Sequence, residues 1–287
     1  MENLISPITS EFSLFRNALI MSLMCGVIYP MTGFFFLVRR WLFLAVALPH
    51  VAMAGVALGL LISSFIVPIV KDSYIKTLII VTPFLLTLST LILLAFFENK
   101  DSMSEARIGI IYTVSFACSL LFISKNPWSQ SHIMERLRGD LITVTSTEIV
   151  IALIIYLIAA GCIMFFRRDF LLISFDPDLA KITGKKITFW NLFLFVIIGS
   201  VIAVGVVMTG PLVIFSLLLF PVVTIRTFFC GMNKIVFISV ILGLSCTATG
   251  FLVSLHPYFD TPLGPTISIV TAALCSVVFF IMKLMNR

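Results

Sequence analysis

RRDFLLISFDPDLAKITGKKI, Arg167 to Ile187, is the longest charged interruption in this chain. Eight of its 21 residues carry charge, in a protein of 287 residues that is 11% charged overall. Apolar segments of bilayer-spanning length flank it on both sides. Its middle carries a helix signature. Asp176 suits the cap, Pro177 the first helical position, Asp178 the positive end of the helix dipole, and Gly184 the close. A helix of about two turns is not stable alone in water, so its surroundings must hold it. Two readings follow. One is a solvated loop with a helical turn; the other is a docking knob through which a cytoplasmic partner drives membrane helices.

Composition excludes a soluble domain. The chain is 60% hydrophobic with mean hydropathy +1.18, whereas soluble domains are about 45–50% apolar and about 25% charged. Its solvent is lipid, and the net charge of +6 reads as membrane topology. No basic cluster is interleaved with aromatics as a nucleic-acid surface requires. Six cysteines (Cys25, Cys118, Cys162, Cys230, Cys246, Cys275) stand singly in or beside apolar runs and read as packing residues. The first 13 residues hold Glu2 and Glu11 but no Lys or Arg, so no secretory signal is expected and the N-terminus should be retained.

Apolar segments fall near 17–38, 42–66, 77–97, 108–124, 147–166, 188–208, 212–228, 234–255 and 265–284. Lipid demands closed backbone hydrogen bonding, and continuous apolar runs without alternation argue helices. The expectation is an all-α integral membrane protein: one domain over 1–287, a polytopic bundle of nine spans, or eight if 212–228 is broken or re-entrant. With the 167–187 loop placed in the cytoplasm, thirteen basic residues fall inside and six outside. That sets the N-terminus outside and the C-terminus inside, which requires an odd number of spans.

Within these spans a few residues invite chemistry. His50 follows Pro49 inside the second segment; proline there removes a backbone bond and usually kinks the helix. An ionisable residue at that depth is a functional candidate, the plain alternative being a neutral imidazole bonded to a neighbouring helix. Gly55 and Gly59 give that span a close-packing face. Gly210-Pro211 breaks the chain near the outer face and Pro221 breaks or kinks it again, as in discontinuous transporter helices or an ordinary tight hairpin. Glu148 marks the outer end of the fifth span. The amphipathic stretch 125–140 contains His132 without a second ligand. In the last outer turn His256 and Asp260 form a candidate metal pair, or else simply a capped turn between Pro257 and Pro262.

No phosphate-binding loop, G-x-S-x-G or H-E-x-x-H occurs. Asp and Glu are absent from the span interiors, which argues for an external source of energy over an ion gradient.

Six stretches, in order, carry a family resemblance: RR…ALPHVAMAGVALG (Arg39 to Gly59), IGIIY (Ile108 to Tyr112), LRGDLITVTSTEI (Leu137 to Ile149), FDPDLAKITG (Phe175 to Gly184), VVMTGPLVIFSLLLFP (Val206 to Pro221) and FDTPLGP (Phe259 to Pro265). Together they resemble the membrane permease of ATP-binding-cassette importers for zinc, manganese or iron, over nearly the whole chain. The resemblance implies a bacterial inner-membrane protein, paired with a second permease copy or a relative. It implies cytoplasmic ATP-binding subunits, an extracytoplasmic metal-binding protein, no permanently bound cofactor, and a divalent metal as cargo. It also makes FDPDLAKITG the coupling helix, with Asp176, Pro177, Ala180 and Gly184 at the matching positions. The family's second helix often reads Gly-Asp-x-x-x-His; here Ala45, Val46 and His50 stand in those places, so the imidazole remains without its carboxylate. Leu137-Arg138-Gly139 departs too, with Arg138 where an aromatic is usual. The competing classes are a secondary metal carrier or efflux protein, and, more remotely, an intramembrane enzyme using His50 or His256.

Overall fold

The computed structural model describes residues 2–66, 72–96, 105–125, 144–255 and 261–285. Every regular element in them is a helix: α1 (Glu2–Val38), α2 (Leu42–Ile66), α3 (Asp72–Phe96), α4 (Glu105–Ser124), α5 (Ser146–Phe165), α6 (Arg167–Phe175), α7 (Pro177–Ile182), α8 (Ile187–Arg226), α9 (Met232–Leu255) and α10 (Leu263–Met285). Seven helices among the described residues are long and apolar enough to cross a membrane, and α3 contributes a shorter apolar stretch, Leu78–Leu94. The protein is a multi-pass membrane helical bundle.

α8 resolves the choice between eight and nine. As one straight rod its 40 residues would measure about 60 Å, twice the hydrocarbon thickness. It is not straight. Gly210 leaves helical geometry at φ 76° and ψ 164°, and the Ile214 side chain reaches back to Gly205. Nine residues of unbroken helix would hold those two about 13 Å apart. Both ends of α8 also lie at one end of the bundle. Near its start Asn191 accepts a hydrogen bond from Arg39 at 2.8 Å; just past its end Met232 shares a cavity wall with Phe35 and Arg167. The helix therefore folds back at Gly210, giving nine apolar helical arms among the described residues.

The same contacts fix the topology. The α1–α2 turn (Arg39, Arg40) sits with α6, α7 and the start of α9 at one end. Asn17 donates to the Val144 carbonyl and to Ser146 Oγ at the other, so α1 and α5 run in the same direction. Phe228 stacks edge-on with Phe279, which returns the C-terminal end of α10 to the α6–α7 end. α9 ends and α10 begins at the opposite end, where Gly250 meets Ile267.

Three departures from the sequence reading have physical causes. α1 extends back to Glu2, well before the expected start at 17, although only Arg16–Val38 has membrane-spanning character. Helix continues through Pro49 in α2 and through Pro221 in α8, so the chain does not break at Pro221, one of the two outcomes expected there. A proline removes one donor, and buried surroundings keep the rest of the ladder intact; only Gly210, with its positive φ, interrupts α8. The 167–187 loop holds two helices instead of one, because α6 buries a face of its own.

α1 and α8 form the centre. Gly33 lies so close to the Leu218 backbone that a Cβ there would occupy the position of its carbonyl, and Gly26 and Gly243 press together between α1 and α9. Gly55 lies against Pro83, and Gly59 against Thr82, seating α2 on α3. Outward faces stay apolar, as lipid requires: Ile110, Leu157 and Ile269 are 64%, 62% and 70% exposed. Replacing Gly33 with Val should lower the melting temperature of the detergent-solubilised chain by the equivalent of about 1–3 kcal/mol of overpacking. Gly161→Ala, which meets nothing within 4 Å, should leave it unchanged; thermal-shift measurement separates the two.

Candidate functional site

At the α6–α7 end, α7 is built as its sequence specifies. Asp176 Oδ1 accepts from the Leu179 N–H at 2.9 Å, and Pro177 occupies the first helical position. At the far end Gly184 takes φ 78°. The Lys185 and Gly184 N–H groups donate back to the carbonyls of Ala180 and Lys181, both at 3.0 Å, closing the helix in the motif that favours glycine there. Ala180 is fully buried, whereas Leu179 and Ile182 are 45% and 83% exposed. Asp178 pairs with Lys181 at 3.1 Å, an exposed contact of little energetic weight. Asp176, Pro177, Asp178, Ala180 and Gly184 thus form one local structure: a capped helix with an apolar outer face.

What holds α7 was not legible in the caps. Phe170 of α6 is fully buried, with ring centroids 6.0 Å from Phe35, 5.7 Å from Trp190 and 5.7 Å from Phe193. Lys185 pairs with Asp169 across the base of the knob and lies 5.5 Å from the Trp190 ring centroid. Arg39 donates from Nε to Ser174 Oγ and from Nη1 to Asn191 Oδ1, both at 2.8 Å. One guanidinium therefore ties the α1–α2 turn to α6 and α8. In the sequence Arg39 and Lys185 count among the inside basic residues, and these aromatics carry no reading of their own. The available signal was Phe166, Phe170, Trp190 and Phe193 bracketing the loop.

His50 faces α4. Its ring lies 4.8 Å from Tyr112 and 5.8 Å from Phe116, edge-on to both, and Nδ1 lies 3.0 Å from the Val46 carbonyl. That bond assigns the proton to Nδ1 and leaves Nε2 as the lone-pair nitrogen. Val46, where a carboxylate stands in the resembled pattern, offers only its backbone oxygen. No group of three metal-ligating side chains occurs among the described residues. An isolated imidazole is a weak, transient ligand. His256 and Asp260 lie outside the described residues, as does His132.

The reversal at Gly210 is covered by buried polar groups that the sequence reading passed over. Tyr29 and Tyr156 hydroxyls meet at 3.0 Å, the Tyr29 hydroxyl abuts Gly205, and Thr209 Oγ1 donates to the Gly205 carbonyl at 3.0 Å. Pro49, Gly210, Pro211 and Pro221 are not gathered in one place: Pro49 sits in α2, while Gly210-Pro211 forms the tip of the α8 hairpin and Pro221 lies in its returning arm. At the N-terminal end of α5, Glu148 accepts from the Thr145 N–H at 2.9 Å, completing a capping box.

Comparison with known proteins places this arrangement. A family model described as "ABC 3 transport family" matches residues 11–284. The chain is 25% identical over 272 residues to the manganese import system permease protein ScaB of Streptococcus gordonii, covering 94% of this chain and 92% of that protein. It is 24% identical over 277 residues to the high-affinity zinc uptake system membrane protein ZnuB of Haemophilus influenzae, covering 96% and 98%. It is 23% identical over 281 residues to a probable iron transport system membrane protein of the same species, covering 98% and 96%. Its fold is similar to that of PsaBC from Streptococcus pneumoniae solved in complex with Fab, with TM-score 0.76, 23% identity, and 98% and 96% of the two chains covered.

Asp176→Ala should destabilise α7 by about 1 kcal/mol, and Gly184→Ala by about 1–2 kcal/mol through the left-handed backbone it must adopt. Amide exchange at Leu179 to Lys185 should accelerate in both variants while α5 and α9 keep their protection.

Proposed function

Because the chain belongs to the ABC 3 transport family, we propose that it is the membrane permease of an ATP-binding-cassette importer for zinc, manganese or iron. Separate ATP-binding subunits energise it from the cytoplasmic side, and an extracytoplasmic metal-binding protein feeds it. It works in a bacterial inner membrane beside a second permease, with its N-terminus outside and its C-terminus in the cytoplasm. The metal is cargo, and no cofactor is permanently bound.

The observation that carries this reading is α7. A six-residue helix with both ends capped, rooted by Phe170, Lys185 and Arg39, presents Leu179 and Ile182 outward in a charged surrounding. A free surface loop gains nothing from such rooting; a contact for an ATP-hydrolysing partner needs it, since force at a loose loop dissipates. Arg39, Lys185 and Lys186 cluster at this end, in keeping with a cytoplasmic face. His50 is the one imidazole in a described span, and with Nδ1 committed to Val46 it offers Nε2 to a passing cation. Its role is a hand-off point on the path, aided by ligands from a second permease.

The charge reversal Asp178→Lys and the substitution Gly184→Val should each lower ATP-driven metal uptake by about tenfold or more, a change equivalent to 1.4 kcal/mol, while ATP hydrolysis by the assembled complex persists. Wild-type uptake in both would defeat the coupling role of α7. His50→Ala should slow uptake while the complex still assembles; undiminished uptake returns His50 to ring packing. A purified chain that transports metal without any co-purifying ATPase would identify a secondary carrier instead.

A further inference from the structure

Between α1, α5 and α9, towards the end that carries α6 and α7, lies a cavity of about 340 Å³. Its walls are hydrocarbon: Val27, Met31 and Phe34 from α1, Ile163 from α5, Val236 and Val240 from α9. Met164 and Phe237 flank it and are 70% and 67% exposed, so it opens sideways, towards lipid. Only Arg167 and Asn233 bring polar side chains to it. Each begins or nearly begins its helix (α6 and α9), which places both at the level where the hydrocarbon ends. The neighbouring acids of the loop are committed elsewhere. Asp169 pairs with Lys185, Asp178 with Lys181, and Asp176 caps α7. Arg167 takes part in no ion pair among the described residues.

We propose that this cavity binds an anionic phospholipid of the adjoining leaflet, one acyl chain lying in the slot and the phosphate at Arg167. The charge complementarity and the sideways opening single out this occupant. A basic residue at the rim of an apolar slot between membrane helices suits a negatively charged headgroup, while the slot itself suits an apolar chain. A zwitterionic lipid fills the slot equally well but gains less from the guanidinium. The site touches neither α2 nor the outer face of α7, so it is separate from the path and docking surface proposed above and does not rest on them. Because α6 starts at Arg167, the bound headgroup would steady the root of the knob.

The test uses the full chain in nanodiscs of phosphatidylglycerol or phosphatidylcholine, with retained lipid counted by native mass spectrometry and stability read by thermal shift. The expected result is one retained phosphatidylglycerol and stabilisation greater than with phosphatidylcholine. Arg167→Gln should cut that preference about fivefold, the effect of about 1 kcal/mol for one basic residue at an anionic surface. Val236→Trp, which fills the slot, should abolish retention of either lipid. Should Val236→Trp not fold, Arg167→Gln, altering a half-buried side chain, carries the test alone. Equal retention of both lipids by wild type, with no effect of Arg167→Gln, would leave annular contact only and overturn the proposal. Displacement by soluble glycerol 3-phosphate would identify a free-anion site and overturn it as well. So would loss of the retained lipid whenever two copies associate, since a second chain would then be the occupant.

Discussion

A chain that reverses direction inside an apolar region exposes peptide groups that lipid cannot satisfy, and each unpaired group costs several kcal/mol there. The hairpin of α8 meets that constraint by burying its tip. Met208, Thr209, Gly210 and Pro211 are all buried, Pro211 has no N–H to satisfy, and Thr209 spends its hydroxyl on the carbonyl of Gly205. The paired tyrosine hydroxyls of α1 and α5 complete a small polar island at that level. Everything else is arranged around this protected bend. α1 lies along both arms, with Tyr29 against the outgoing arm and Gly33 against the returning one. The lipid-facing helices α4, α5 and α10 then need little interior packing.

At the other end of the bundle the logic is aromatic and ionic. Charged groups at a membrane boundary are easily hydrated, so their pairs contribute modestly. The burial of Phe170 among Phe35, Trp190 and Phe193 supplies most of the fixation, at about 1.5–3 kcal/mol for a large side chain fully removed from water. Arg39 adds direction, because a planar guanidinium donates along fixed lines to Ser174 and Asn191 at once.

Much of this was legible in the chain. Lipid leaves helices as the available solution, so runs of apolar residues located the spans to within a few positions. Asp176, Pro177 and Gly184 specified α7 because caps are local chemistry. The fold-back at Gly210 was foreseen as one of two options, and its contacts with α1 settle the odd number of arms. Less was legible where residues far apart in sequence cooperate. Phe170 reads as one more apolar residue until Trp190 and Phe35 surround it, and the Tyr29–Tyr156 pair joins residues 127 positions apart. The break allowed for at Pro221 does not occur, for the reverse reason. A helix-breaking tendency is local, and packing by the buried neighbours Leu219 and Val222 overrides it. His50 acquired two aromatic neighbours, Tyr112 and Phe116, that its sequence neighbourhood does not show.

The four residues Thr183, Gly184, Lys185 and Lys186 join the knob directly to the outgoing arm of α8, with no slack between them. From Ile187 that arm runs 23 residues to Gly210 as unbroken helix, about 34 Å. A tilt imposed at its root therefore reaches the far side of the bundle as swing, like the tip of an oar moved at the handle. Gly210 is the first joint able to absorb it, which makes the bend at the opposite mouth the place where such a tilt would be felt.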